Sequence, residues 1–388
     1  MKITARALNR TTLDRQLLLE RARTDVAEGT RRVVALQAQH PASPYLALWN
    51  RLEDFDPAAL DAAFADRTVA KATLMRITLH AVHAADYPVL RAAMEPTLYA
   101  SRLGYRFAAA GLTPEDAGGL VPRLLAYAER PRGSAEVQSW VAEQVGAERA
   151  DGAWWGLKGY APLHHAPTGG PWSFGHRPAF VASGTAPVPA GRTGDPEALR
   201  ALLLRYLSGF GPASAADAAR FAMLARGPVR AAFGDLLREG AVEPLTGPDR
   251  TELFDLAGAE RHDGGAPAPA RLMAMWDSVL LAYEDRTRVL PEAYRRAVIR
   301  NNGDTLPTLL VDGAVAGVWR PVEGGIEATA FHRLPAAAWE ELAAEAVALT
   351  GLLAGREEQV YRRYGHWWPK LPADPAVRGE VRLLPGTG

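Results

Sequence analysis

Two glutamines one residue apart, Gln37 and Gln39 with Ala38 between them, are the side chains of this sequence best placed to do chemistry. Arg31 and Arg32 precede them, His40 and Pro41 follow, and an aromatic, apolar run occupies residues 44–49. An amide donates and accepts hydrogen bonds, so a pair can hold a water molecule, but it cannot remove that water's proton. The backbone decides whether the two amides act together. In an extended segment residues i and i+2 point to one side; in a helix they diverge. Pro41 biases His40 towards an extended conformation and marks a helix end nearby. The two amides are therefore expected to share a side, with Ala38 facing inward. A solvated or backbone-bonded surface pair would have the same sequence, and the motif alone does not choose.

Other chemistries are weaker or excluded. The absence of cysteine removes disulfides, thiolate nucleophiles, cysteine-ligated zinc and iron–sulfur clusters. His164 and His165 are adjacent rather than at helical metal-ligand spacing, and no H-E-x-x-H motif occurs. There is no Walker A motif and no G-x-S-x-G elbow, and Gly169-Gly170 does not sit in a strand–loop–helix unit. Neither a metal nor a cofactor is expected. Asp277, Glu284, Asp285, Glu53 and Asp54 are candidate general bases, each equally suited to pairing with an arginine. The aromatic and basic loop carrying Trp172, Phe174, His176 and Arg177 reads as a DNA-probing wing, or as a loop whose aromatics tuck it onto the core.

Forty-four basic residues balance 44 acidic ones, so any nucleic-acid surface must be made by concentrating positive charge on one face. The basic residues are nearly all arginine, the only lysines being Lys2, Lys71, Lys158 and Lys370. Arginine suits bidentate phosphate contacts, although a GC-rich genome produces the same bias. No run of about 20 apolar residues is present, as a membrane span would need, and residues 1–6 lack a signal-peptide core. A cytoplasmic protein is expected.

The elements that must hold these residues follow from pattern. Residues 11–35 read as one helix with Leu13, Leu17, Leu18 and Val26 inward. Asp56 caps a helix that has Pro57 at its first position, and residues 69–82 alternate as strands. A second round follows: Thr113 caps a helix, Ser134 begins another, residues 153–157 look strand-like, and residues 187–194 look like a linker. In the third round Asp195-Pro196 caps a helix, residues 211–214 make a turn into a second helix over 215–224, and Gly227-Pro228 leads to a third, with two short strands around 242–245 and 252–256. Three helices and a hairpin are the winged helix-turn-helix order. Asp312-Gly313 predicts a type I′ hairpin turn. Residues 336–353 form an amphipathic helix with Trp339, Leu342, Ala346 and Leu349 on one face, and an irregular tail is expected from Pro372. For 388 residues this gives four parts: 1–100 with the glutamine motif, 101–190, the winged unit 191–260, and an α/β part with the hairpin, 261–388.

The stretch 34–49, the stretch 276–286 (Trp-Asp-Ser-Val-Leu-Leu-Ala-Tyr-Glu-Asp-Arg), and Leu310-Val311-Asp312-Gly313 with Gly317-Val318-Trp319-Arg320 together resemble the winged-helix family that includes the bacterial DNA glycosylases AlkZ and YcaQ. The resemblance spans roughly residues 10–355. That family's motif is glutamine, an aliphatic residue, glutamine, matched by Gln37, Ala38 and Gln39; the YcaQ-like branch has aspartate at the last position. The resemblance implies an α+β fold of tandem winged helix-turn-helix units in a C-shaped arrangement around a DNA-binding channel. It implies a monomer acting on double-stranded DNA with alkylated or crosslinked purines. The implied reaction is hydrolysis of the N-glycosidic bond of N7-alkylated guanine, including the unhooking of crosslinks such as those of azinomycin, in repair and antibiotic self-resistance. Gln37 and Gln39 would be catalytic. Arg51, Trp172, His176, Arg177, Asp312, Gly313 and Arg320 are the expected DNA contacts, with the Asp312-Gly313 hairpin as first candidate for a groove probe. A crosslinked base cannot be swallowed into a closed pocket, which is why a probe is sought. A non-enzymatic winged-helix regulator is the alternative, and an interaction module without a DNA role is a third reading.

Overall fold

The computed structural model of the protein describes residues 1–100, 102–187, 194–371 and 377–386. Helix α1 (Ala5–Arg15) is capped by Thr4, whose side chain accepts from the Ala7 N–H. The single helix expected over 11–35 is two. The chain leaves the helix at Gln16, Leu17 takes a left-handed φ of 56°, and α2 (Val26–Arg32) restarts at Asp25. Asp25 is the reason: its carboxylate accepts from the Glu28 N–H and so begins a helix rather than continuing one. Strand β1 (Leu36–Gln37) and α3 (Ser43–Trp49) follow. Helix α4 (Pro57–Ala65) is capped by Asp56 as its sequence predicts. Strands β2 (Val69–Thr73) and β3 (Leu79–His83) form a hairpin, and α5 (Tyr87–Ala100) leaves it.

The second round comprises α6 (Arg102–Ala109), α7 (Pro114–Tyr127), β4 (Arg132–Gly133), α8 (Ser134–Val145), α9 (Ala147–Tyr160), β5 (Leu163–Ala166) and β6 (Ala179–Ala182). Thr113 and Asp116 close a reciprocal cap on α7. Residues 153–157, expected as a strand, lie inside α9. Gly152, Gly156 and Gly159 fall on one helical face and admit α6: a Cβ at Gly156 would lie 2.5 Å from the Phe107 ring. Small residues at helical spacing, not strand alternation, were the signal there.

The third round has the expected order: α10 (Pro196–Phe210), α11 (Ala215–Ala222), α12 (Arg226–Arg238), then the hairpin β7 (Val242–Thr246) and β8 (Glu252–Leu256). The linker expected over 187–194 lies almost wholly outside the described residues. The last part holds β9 (Arg271–Leu272), α13 (Arg295–Val298), β10 (Thr308–Val311), β11 (Ala314–Val322), β12 (Gly325–Ala330), α14 (Ala336–Ala354) and β13 (Val381–Pro385). The tail is thus not wholly irregular: residues 381–385 pair antiparallel along β12.

The hairpins of the first two rounds join in one six-stranded sheet, ordered β1-β3-β2-β5-β6-β4, through Lys71 opposite His165. A five-stranded sheet, β13-β12-β11-β10-β9, organises the C-terminal part. One apolar core lies between α3, α4, this second sheet and α14, and it includes Trp172 and Phe174 from the loop. Another joins the first hairpin to α5 and α10–α12. The glutamine strand β1 contributes Leu36 to the first core, while its neighbours Val34 and Ala35 enter the second.

Candidate active site

The glutamine segment is extended, and pairing with β3 fixes it. Leu36 lies opposite Ala81 and Gln37 opposite His80. One residue on, the Ala38 N–H donates to the Leu79 carbonyl at 2.8 Å. Ala38 is fully buried, Gln37 is 6% exposed and Gln39 is exposed. Each amide is held by its oxygen. Gln37 Oε1 accepts from Arg76 Nη2 at 2.6 Å, and Gln39 Oε1 accepts from the Leu79 N–H at 3.3 Å. Both donors are acceptor-free groups, so chemistry alone assigns the oxygen end of each amide. Among the described residues neither Nε2 has a partner.

Arg76 sits in the β2–β3 turn with a left-handed φ of 55°. Besides Gln37 it donates to the Phe221 carbonyl of α11 at 3.0 Å and lies 3.2 Å from His80 Nε2. Burial, then Arg286 and Arg220, push its pKa down to about 10, so it stays cationic at neutral pH. His80 is fully buried and held well below its ordinary pKa, first by burial and then by Arg76. Its Nδ1 is 3.1 Å from the Thr78 carbonyl, which can only accept, so Nδ1 carries the proton and Nε2 faces the guanidinium. His40 is also neutral: burial, then Arg363, Lys71 and His176, lower it to about 4. Its Nδ1 accepts from the Ala42 N–H at 3.2 Å, and its ring packs edgewise on Tyr361.

Register separates Lys71 from the glutamines. Lys71 shares a row with Ala81 and Leu36, whereas Gln37 shares one with His80 and Ala72. Neighbouring rows point to opposite faces of the sheet. The Lys71 ammonium lies 4.1 Å from the Phe174 ring, and burial lowers its pKa to about 8.

Most of the expected DNA contacts are engaged elsewhere. Arg51 is fully buried and bidentate to the equally buried Asp277, at 2.7 and 2.8 Å. It cannot reach DNA, and Asp277 is not a free base. Trp172 is buried, with its indole N–H donating to Glu357 at 2.6 Å. Its loop is anchored by its aromatics, and only His176 and Arg177 of that group remain exposed. Arg320 is bidentate to Glu327 on the next strand. The Asp312-Gly313 turn has φ angles of 44° and 78°, as a type I′ turn requires, but it faces the protein. Asp312 pairs with Arg6 and Arg10, and the Asn9 amide donates to the Gly313 carbonyl at 2.8 Å. A side chain at 313 would meet Arg10 and Asn9 at 2.5 Å. This geometry makes the turn a clasp on α1 rather than a projecting probe. Of the other candidate bases, Glu53 pairs with Arg23, Glu284 accepts from Arg226 at 2.8 Å, Asp285 caps Thr287, and Asp54 is exposed in a turn. Among the described residues no group of three or more metal-ligating side chains is present, and His164 packs its ring against Tyr87. No described helix is long and apolar enough to cross a membrane.

Sequence reasoning missed Arg76, which nothing in a strand-like run distinguishes from a solvated arginine. It also missed the open cleft of about 380 Å³ beside it, lined by Arg76, Arg220, Arg226, Glu284 and small residues of α11. The exposed face of α12, the helix before the β7–β8 hairpin, adds Arg230, and Arg238 on the same helix pairs with Asp235.

No curated protein matches the chain. A solved structure, the Streptomyces sahachiroi DNA glycosylase AlkZ, has a similar fold: the TM-score is 0.76 at 23% identity, over 92% of this chain and 99% of that one. The model of the family described as DNA glycosylase AlkZ-like matches residues 30–352, a span that takes in the glutamine strand, the Arg76 turn, the winged unit and the Asp312-Gly313 hairpin. The protein therefore belongs to the AlkZ-like DNA glycosylase family.

Proposed function

We propose that this DNA glycosylase hydrolyses the N-glycosidic bond of N7-alkylated guanine in double-stranded DNA, and that it unhooks interstrand crosslinks of the azinomycin type. The observation that carries the reading is the character of the Gln37–Gln39 site. Its only titratable partner among the described residues is Arg76, which holds its proton, and its histidine neighbours His40 and His80 are neutral. Such a site is poor in acid. A normal purine needs a proton before it leaves its sugar. N7-alkylated guanine already carries a positive charge and departs as a neutral base. Orientation of water and electrostatic support of the sugar then suffice. Gln37 and Gln39 orient the water, and the DNA's own phosphates stabilise the oxocarbenium-like sugar.

Water attack also fits the placement of Lys71. An amine nucleophile would have to reach the sugar, and Lys71 projects from the other face of the sheet. Arg220 and Arg226 flank the cleft and share Glu284, at 3.8 and 2.8 Å, and in this reading phosphates compete with that carboxylate for them, alongside exposed His176 and Arg177. The enzyme acts as a monomer in a channel open enough for a tethered base, in DNA repair and in the self-protection of an antibiotic producer.

Incubation with duplexes carrying one N7-methylguanine or one azinomycin crosslink, followed by alkali and a gel, tests this. The wild type should release the base, so that alkali breaks the strand at the abasic site left behind. Gln37→Ala and Gln39→Ala should each slow single-turnover excision by about 100-fold, the scale of losing one preorganised donor. Gln39→Ala should leave thermal unfolding unchanged, and Gln37→Ala should remain folded with a modestly lower Tm because Arg76 loses an acceptor. Full activity in the double variant would overturn the assignment. Sequence-dependent binding to undamaged DNA without base release would instead identify a regulator.

A further inference from the structure

The hydrogen bonds at the glutamines say more than that the amides are ordered. An arginine and a backbone N–H can only donate, so each occupies the oxygen of its amide. For Gln37 the constraint is strong. Its partner is half-buried, is itself held by the Phe221 carbonyl at 3.0 Å, and approaches Oε1 to 2.6 Å. A rotation of the amide by half a turn would put two N–H donors against a guanidinium. The flip is therefore forbidden, and Nε2 must point away from Arg76. That nitrogen has no partner among the described residues, and it is not one of the buried side-chain atoms sealed from solvent without a hydrogen bond.

We infer that Arg76 is a positioning residue: it turns Gln37 so that the amide meets the substrate complex as a hydrogen-bond donor, to an oxygen of the attacking water or of the deoxyribose. This rests on the catalytic reading of Gln37 proposed above and deepens it. Gln39, whose oxygen is taken by the Leu79 N–H, presents its donor end in the same way. A donor to one lone pair of a water fixes its position and leaves the other lone pair to attack C1′. An acceptor would instead draw on its proton. The two roles differ in what they tolerate. A donor at position 37 cannot be replaced by a carboxylate, whereas an acceptor can be, and with gain, because a carboxylate is also a base. The unusual backbone at Arg76 belongs to the same device. Arg76 takes a left-handed φ of 55° in the turn, and from that position its side chain reaches Gln37 on β1.

The test uses the full-length protein and an N7-methylguanine duplex under single-turnover conditions, with affinity measured on the same duplex lacking the lesion. Arg76→Ala should slow excision by about 10- to 100-fold, the effect of disordering one preorganised donor, while Kd changes by less than about twofold. Arg76→Lys, which keeps one donor, should recover part of the rate. Gln37→Glu should be as slow as Gln37→Ala despite being isosteric and pairing with Arg76. Three results would overturn the inference. Gln37→Glu at or above the wild-type rate would make position 37 an acceptor. Arg76→Ala that weakens Kd and lowers the salt dependence by about one ion with no change in rate would make Arg76 a phosphate contact. Arg76→Ala at the wild-type rate with an unchanged Kd would remove the role altogether, and if that variant fails to fold, Gln37→Glu decides alone. A wild-type rate in Gln37→Ala would instead defeat the underlying reading of the site.

Discussion

At the scale of single residues, the arginines of this protein are sorted by their partners. Arg51, Arg320 and Arg10 are spent on Asp277, Glu327 and Asp312, while Arg76 is spent on a neutral amide. The histidines are sorted by burial. His40 and His164 are each lowered to about 4 and His165 to about 3, chiefly by desolvation of the charged form. The sign of the linkage follows. Unfolded, each histidine takes up a proton near its ordinary pKa of about 6.5; folded, it stays neutral. As pH falls from about 6.5 towards 4 the unfolded state binds more protons, so stability falls by up to about 1.4 kcal/mol per pH unit for each such histidine. Urea unfolding at pH 7.5 and pH 5 should show this loss, and His40→Gln should reduce the slope. An unchanged slope would mean that His40 does not titrate with unfolding.

At the scale of elements, the Asp312-Gly313 hairpin shows how far a local signal reaches. Asp-Gly between apolar strands predicted a type I′ turn, and both residues have the positive φ that this turn requires. The turn's use was not in that signal. It lies on α1, where Asn9 and Arg10 close over it. Gly313→Ala should cost about 1–3 kcal/mol, through its left-handed backbone and the crowding by Arg10 and Asn9. It should leave the ratio of crosslink unhooking to monoadduct excision as in the wild type. A selective loss of unhooking would return the hairpin to the role of groove probe. The helix at 153–157 is the converse case. Two adjacent tryptophans and a glycine read locally as a strand, yet glycines 152, 156 and 159 form a seam that α6 fills. Propensity yielded to packing between two helices.

At the scale of the whole molecule, the first two rounds of helices and hairpin share one sheet, and the second core carries the third round onto that sheet's hairpin. Gln37 on β1 and Arg220 on α11 therefore both neighbour Arg76, the first by a hydrogen bond and the second across the cleft, although the chain separates them widely. Neutral net charge does not oppose DNA binding if positive charge collects there. Arg220→Ala and Arg226→Ala should each weaken binding to any duplex, with or without a lesion, and lower the salt slope by about one. An unchanged slope would place the DNA elsewhere on the surface.

Short-range physics was legible in the sequence by itself. Caps at Thr4, Asp56, Thr113 and Ser214 begin helices because a side-chain oxygen takes a free N–H. The winged order of the third unit, the Asp-Gly turn and the extended Gln-x-Gln segment before Pro41 rest on periodicity, φ preference and proline sterics, all properties of near neighbours. The same signal stands at Asp25, where the helix expected over 11–35 breaks and restarts. Only the tertiary structure decided which charges are free and which way an amide faces. Arg51 meets Asp277 across 226 residues, and Arg76 meets Gln37 across 39. A hydrogen-bond partner brought in by folding leaves no mark on the residues beside it in the chain. The glutamines could be found from sequence for that reason, while the arginine that aims one of them could not.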